Sequence, residues 1–198
     1  MKVTITNGGI LPASVCTAYK GKIVCLDCGH SPQTAGKRSF ILPDGRQLFE
    51  WEVNRAIAHI VKDSLQKAGI QCIITTEDTD RDPSLTERAE RINKIVNQYG
   101  KDKVIAVSIH SDAYGTTWND ANGWTVYTSK GTTESDKMAA VFKEEAQKIL
   151  PKYHKRVRGA KEELFTILVK TKCPIVLVES LFYTNEEECQ FLLSEEGR

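Results

Sequence analysis

The 198 residues include 27 lysines and arginines against 26 aspartates and glutamates, a formal net charge of +1, with 40% apolar and 27% charged residues. That length buries one sizeable core and reads most simply as a single domain, and the composition is ordinary for a globular fold. The near-neutral balance gives no electrostatic footprint for nucleic acid, and no run approaches the ~18 consecutive apolar residues of a membrane span.

Residues 1–21 read as an N-terminal extension. Asn7, Gly8, Gly9 and Pro12 interrupt it, so it lacks the unbroken apolar stretch of a secretory signal and no export address is expected. The folded domain is expected over 22–198. Its first strand is the apolar run at 23–27, which leads directly to His30. Residues 50–68 carry helical spacing in Val53, Ile57, Ile60, Val61 and Leu65, and 71–76 reads as a strand. Ser84 with Glu87 forms a capping box for a helix that runs to about residue 98, where Gly100 supplies the stop. The run at 103–109 is the next strand and ends at His110; 124–129 is another. A helix over 135–150 is closed by Pro151, strands at 164–169 and 175–179 follow, and Asn185 with Glu188 caps a last short helix. This alternation predicts an α/β fold: one domain with a twisted, mainly parallel central sheet and helices on both faces.

In such a sheet, groups at the carboxyl ends of neighbouring strands converge on one crevice where ligands bind. His30, His110 and Glu179 each close a strand-like run, so imidazoles and carboxylates meeting there make a zinc site the leading expectation. Helical phase adds a further carboxylate. Glu50 falls on the apolar stripe of its helix, while Glu52 lies about 200° from it and faces water. A carboxylate on a core face requires a cation or a metal. Asn54, one turn on, is placed to hydrogen-bond Glu50. His59 falls on the polar side of the same helix and His154 in a basic segment; both read as surface histidines. Cys25 and Cys28 have C-x-x-C spacing, but no second pair follows and no helix begins between them, so the cysteines read as small apolar residues. Three irregular segments, 31–49, 113–123 and 152–161, read either as solvated loops or as substrate-contacting loops around the crevice. The last gathers Lys152, Lys155, Arg156, Arg158 and Lys161, which would suit a substrate bearing carboxylates.

Taken in order, these stretches resemble the zinc-dependent N-acetylmuramoyl-L-alanine amidases of the type-3 group, enzymes of the bacterial cell wall. The resemblance rests on Asp27-Cys28-Gly29-His30 at a strand end, on Glu50 to Asn54 as E-x-x-x-N, and on Leu85 with Arg88 after a threonine-rich strand end. It continues with Ser108-Ile109-His110 leading to Asp112-Ala113, and with P-x-x-L-V-E-x-x-F-x-x-N from Pro174 to Asn185, covering about residues 22–190. Each motif alone is weak; their order along the chain carries the weight. The chain departs from the pattern at Ser31 and Pro32, where two glycines are usual, and at Asp112, where asparagine is usual. Both departures bear on loop conformation and substrate preference.

The resemblance implies His30, Glu50 and His110 as ligands of one zinc per chain and Glu179 as the catalytic carboxylate, with Asn54, Arg88 and Asp112 as supporting or substrate-contacting candidates. It implies hydrolysis of the amide joining N-acetylmuramic acid to L-alanine in peptidoglycan; from the chain itself no nucleic-acid partner and no membrane span are expected, and a monomer is expected. Without an export address, the expected setting is a lysin-like protein that is cytoplasmic until released, or one exported by another route, acting on the wall. Two other readings share much of this: a zinc peptidase cutting within the stem peptide, and a non-catalytic wall-binding module of the same fold. The presence of Glu179 favours an enzyme, because a binding module has no need of a base.

Overall fold

The computed structural model describes residues 3–4, 10–11 and 21–198. Most of the N-terminal extension therefore lies outside the described residues; within it, β1 (Val3–Thr4) pairs antiparallel with β2 (Ile10–Leu11). The remaining elements are β3 (Ile23–Cys28), α1 (Glu50–Lys67), β4 (Gln71–Ile74), α2 (Leu85–Tyr99), β5 (Val104–Asp112), β6 (Trp124–Thr128), α3 (Glu134–Ile149) with a 3-10 turn (Leu150–Tyr153) after it, β7 (Val157–Glu162), α4 (Thr166–Lys170), β8 (Ile175–Phe182) and α5 (Glu186–Leu192).

Six strands form one sheet in the order β4-β3-β5-β8-β6-β7. The first four run parallel, as the apolar runs with intervening helices predict. β6 turns antiparallel against β8, and β7 follows β6 in parallel, so the sheet is mixed at this edge. Successive side chains of each strand alternate between two cores. Val24, Leu26, Cys28, Val107, Ile109 and Val178 pack under α1, α3 and α5. Ile23, Cys25, Ala106, Ile175 and Leu177 pack under α2 and α4.

Cys25 and Cys28 thus belong to opposite faces of one strand as buried free thiols. Burial pushes each up to about 12, and their places on opposite faces fit the small apolar role expected of them.

Helix limits follow their caps. The Ser84 hydroxyl accepts the Glu87 amide, Gly100 ends α2 at φ 93°, and Asn185 accepts the Glu188 amide. Thr133 and Asp136 form the box that opens α3, one residue earlier than the sequence suggests.

Two expected elements are different. The apolar run at 164–169, expected as a strand, is instead mostly helix: Ile167 and Leu168 of α4 are buried, while Leu164 and Val169 are exposed. A short unbroken apolar run has no periodicity to separate a strand from a buried helical turn. The basic segment at 152–161, expected as a loop, ends in β7, an edge strand whose Arg158, Ala160, Lys161 and Glu162 are all exposed. Charged side chains on an edge discourage pairing with other chains and also mask its strand character.

Candidate active site

The site forms where the sheet's parallel strands end. Register places His110 of β5 directly beside Glu179 of β8, and β3 reaches the same level one residue beyond its last pair, at Gly29. The Gly29 amide donates to the Ile109 carbonyl (2.9 Å) and continues the ladder. Only glycine fits there: a Cβ on residue 29 would stand 2.3 Å from Cε1 of His110. The chain then turns through His30, whose φ of 62° is in the left-handed region, a conformation tolerated where surrounding contacts hold it.

Those contacts are a buried polar frame. Arg88 of α2 is 2% exposed and donates to Oδ1 of Asp27 (3.0 Å), the Cys28 carbonyl (2.6 Å), the His30 carbonyl (3.3 Å), Asp82 (2.9 Å) and the Pro83 carbonyl (3.0 Å). Asp27 also accepts from Thr76 (2.7 Å) and Ser108 (2.7 Å). Burial alone would raise the Asp27 carboxyl, but the Arg88 charge and the two hydroxyls outweigh it and hold it below its ordinary value. Arg55 of α1 adds donors to the carbonyls of His30 (3.1 Å) and Asp78 (2.8 Å).

Removing Arg88 would leave Asp27 a buried charge without a cation. Arg88→Met is expected to cost about 3–5 kcal/mol of stability, measured by urea unfolding. The acid limb follows the same pair. Because the folded value of Asp27 is depressed, its contribution is complete above the unfolded value and is lost as pH falls through the folded one. Wild-type stability should therefore decline on acidification below about pH 4, and this part of the decline should be absent in an Asp27→Asn/Arg88→Met double variant.

Glu50, the first residue of α1, is fully buried at the same level. Its Oε1 lies 3.2 Å from Nδ1 of His110 and 3.4 Å from Nε2 of His30, and accepts the Ser111 amide at 3.1 Å. The imidazoles meet edge to face with centroids 5.0 Å apart. One ligand atom from each of His30, Glu50 and His110 falls within 4.8 Å of the others. Burial opposes charge on Glu50, yet hydrogen bonds and charge from His110 and His30 hold it far below the usual carboxylate range. Burial lowers His30; at His110 it is outweighed by Glu50 and Glu179, and that imidazole is raised. Two nitrogens, one oxygen and an enclosed anion match the donor set of a catalytic zinc. The buried Oε2 of Glu50 has no hydrogen-bond partner among the described residues, and the nearest cation, Nζ of Lys37, is 3.9 Å away. The donor set therefore fits a divalent ion, and zinc best.

Glu179 stands across from this trio, and burial with repulsion from Glu50 and Asp112 raises its carboxyl to about 8. With His30, Lys37, His110 and Arg88 it lines a cleft of about 520 Å³, whose other wall carries Leu85, Leu164 and Phe165.

The supporting candidates divide. The Asn54 amide reaches the Gly29 carbonyl (3.1 Å) rather than Glu50, so it steadies the His30 turn. Arg88 lines the cleft while its donors serve Asp27 and the β3 terminus, so it frames the His30 turn. Asp112 is half-buried and accepts the Ala113 amide (2.8 Å) at a register shift in β5. Glu52 is exposed, and His59 pairs with Glu77 (3.1 Å) at the surface. None of the five basic residues of 152–161 lines the cleft. Lys155 is buried against Glu187 and Arg158 stacks on Phe182. Sequence reasoning gave Asp27 no role of its own, although an aspartate within an apolar strand signals a buried partner. Lys37 lies in an irregular segment without any such signal.

A family model described as N-acetylmuramoyl-L-alanine amidase (Amidase_3) matches residues 24–198. Among curated proteins of Bacillus subtilis (strain 168), the N-acetylmuramoyl-L-alanine amidase LytC is 30% identical over 176 residues, 87% of this chain but 32% of LytC. The uncharacterized protein YqiI of the same organism is 26% identical over 184 residues, 93% of this chain and 81% of its own. The crystal structure of an N-acetylmuramoyl-L-alanine amidase from Clostridium difficile 630 superposes with a TM-score of 0.72 at 26% identity, covering 90% of this chain and 89% of that one. With the family model spanning the whole sheet and every element of the cleft, the chain belongs to the N-acetylmuramoyl-L-alanine amidases, hydrolases of peptidoglycan.

Proposed function

We propose that this amidase is zinc-dependent, that His30, Glu50 and His110 hold the ion, and that Glu179 carries the proton during cleavage of the bond between N-acetylmuramic acid and L-alanine. The observation that carries the reading is the convergence of those three ligand atoms within 4.8 Å, faced by a carboxyl raised to about 8. When bound, zinc supplies Lewis-acid polarisation of the scissile carbonyl and acidifies water at neutral pH.

The protein's own residues supply the rest. Glu179 takes the proton of the attacking water and returns it to the departing amine nitrogen. Burial raises this carboxyl in the zinc-free protein, which favours the protonated form that delivers the proton to the amine. Gly29 admits the His110 ring, and the Arg88–Asp27 frame fixes the His30 turn, so the donors are held before any ligand arrives. The apolar wall of Leu85, Leu164 and Phe165 suits the methyl groups flanking a lactyl–alanyl amide. No helix of the described residues is long and apolar enough to cross a membrane, and the proposed site of action is the cell wall.

Mass spectrometry of products from purified wall tests the reading. Glycan freed of intact stem peptide is expected, and a chelator should abolish its release until zinc is restored. Shortened peptide still attached to its sugar would instead make the protein a stem-peptide peptidase, and activity indifferent to strong chelation would end the zinc reading.

A further inference from the structure

Next to Glu179 on the sheet lies a buried hydroxyl with nothing to do. The register carries one row of side chains across the carboxyl end of the sheet: His110 pairs with Glu179, Glu179 with Thr125, and Thr125 with Gly159. Thr125 is 0% exposed, and its Oγ1 has no hydrogen-bond partner among the described residues. Oε2 of Glu179 is likewise shielded from solvent and unpartnered. Two buried orphans on directly paired strands are unusual, since buried polar side-chain atoms are overwhelmingly hydrogen-bonded. Directly opposed residues of an antiparallel pair have Cβ atoms about 4.5–5.5 Å apart on the same face, so a change in the two side-chain torsions brings hydroxyl and carboxyl into contact. On its other side in the row Thr125 meets a glycine, which offers no side-chain partner.

We propose that Thr125 is the positioning residue for Glu179, its hydroxyl steering the carboxyl toward the scissile bond; this rests on Glu179 being the proton carrier. The chemistry favours a hydroxyl in this place. A carboxylate needs a donor, and the same group, once protonated, needs an acceptor; threonine offers both by rotating one O–H. A fixed donor such as an amide N–H would favour only the ionised form, and an aliphatic side chain would serve neither. The β-branched frame also confines the hydroxyl to few rotamers.

The test compares Thr125→Val, which keeps the shape and removes the hydroxyl, with Thr125→Ser, which keeps the hydroxyl. On zinc-loaded enzyme, Thr125→Val should lower kcat about tenfold, the loss of one hydrogen bond to a reacting carboxyl. KM, zinc content and melting temperature should stay near wild type, and Thr125→Ser should recover most of kcat. Infrared spectra of the zinc-free protein at pH 6 give a readout independent of turnover. The carboxyl band removed by Glu179→Gln should move to higher frequency in Thr125→Val and return in Thr125→Ser. An unchanged kcat or an unmoved band in Thr125→Val would overturn the inference, as would a Ser variant as impaired as the Val variant. If Glu179→Gln alone leaves the enzyme active, the proton-carrier reading fails instead. If Glu179→Gln is inactive while Thr125→Val matches wild type, only the role of Thr125 falls.

Discussion

Glu179→Gln is expected to lower amide cleavage by about 10²–10⁴ while leaving zinc content intact, the usual range for loss of a general acid–base group. The substitution keeps the size and planarity of the side chain and removes only its ability to take and release a proton. Zinc should remain because none of the three converging ligand atoms belongs to residue 179. The alternative that Glu179 serves a structural ion pair is disfavoured by its surroundings, since among the described residues its Oε2 has no hydrogen-bond partner. The electrostatics add a second readout in zinc-free protein. A carboxyl raised to about 8 by burial is ionised in the unfolded chain but resists ionisation in the folded one. It therefore costs stability progressively as pH rises from its ordinary value near 4.5, and the cost levels off above about 8. At pH 8 zinc-free Glu179→Gln should melt above zinc-free wild type by several degrees, since about 1 kcal/mol shifts a domain of this size by roughly 2–4 °C. Wall lysis by the variant at near wild-type rate would remove Glu179 from the mechanism. Inactivity accompanied by loss of zinc would recast it as a ligand.

Much of this site is legible in the sequence because two periodicities point to it. Parallel strands end at a common edge, so runs that stop at His30, His110 and Glu179 bring those residues together in any doubly covered sheet. Helical phase separates Glu50 from Glu52 without knowledge of the fold, and the two are respectively 0% exposed and open to solvent. What stayed hidden depends on pairing between distant segments. The role of Thr125 emerges only when β6 is known to lie antiparallel against β8, which no local pattern encodes. Arg88 sits 61 residues from Asp27, and its position on α2 says only that it faces inward. α4 is illegible in the sequence because five residues span little more than one helical turn, too few to display a period. β7 was hidden by its own charges: an edge strand with a single neighbour needs no apolar face, and Gly159 alone of its residues is buried.

Glu50→Ala should weaken zinc binding by at least about 100-fold, because even groups that merely orient a ligand are worth 10–100-fold. Glu52→Ala should bind zinc within about twofold of wild type, since an exposed group two residues along a helix is turned away from the site. The contrast is sharp because the neighbouring residues share their backbone, their helix and their charge, and differ only in direction. Glu50 is the first residue of α1, with its carboxyl enclosed against both imidazoles and the Ser111 amide. At a helix N-terminus the positive end of the helix dipole favours an anion, so the fold holds this carboxylate charged and ready for a cation. Removing it leaves His30 and His110, and two neutral nitrogens cannot retain a divalent ion against water as three donors including a carboxylate do. His59→Ala serves as the matching control for the histidines and should keep zinc and activity, since His59 pairs with Glu77 on the surface. Competitive titration with a fluorescent chelator measures all three affinities on the same scale. Loss of metal in Glu52→Ala, or its retention in Glu50→Ala, would place the carboxylate ligand elsewhere and leave the buried charge of Glu50 to be explained by the histidines alone.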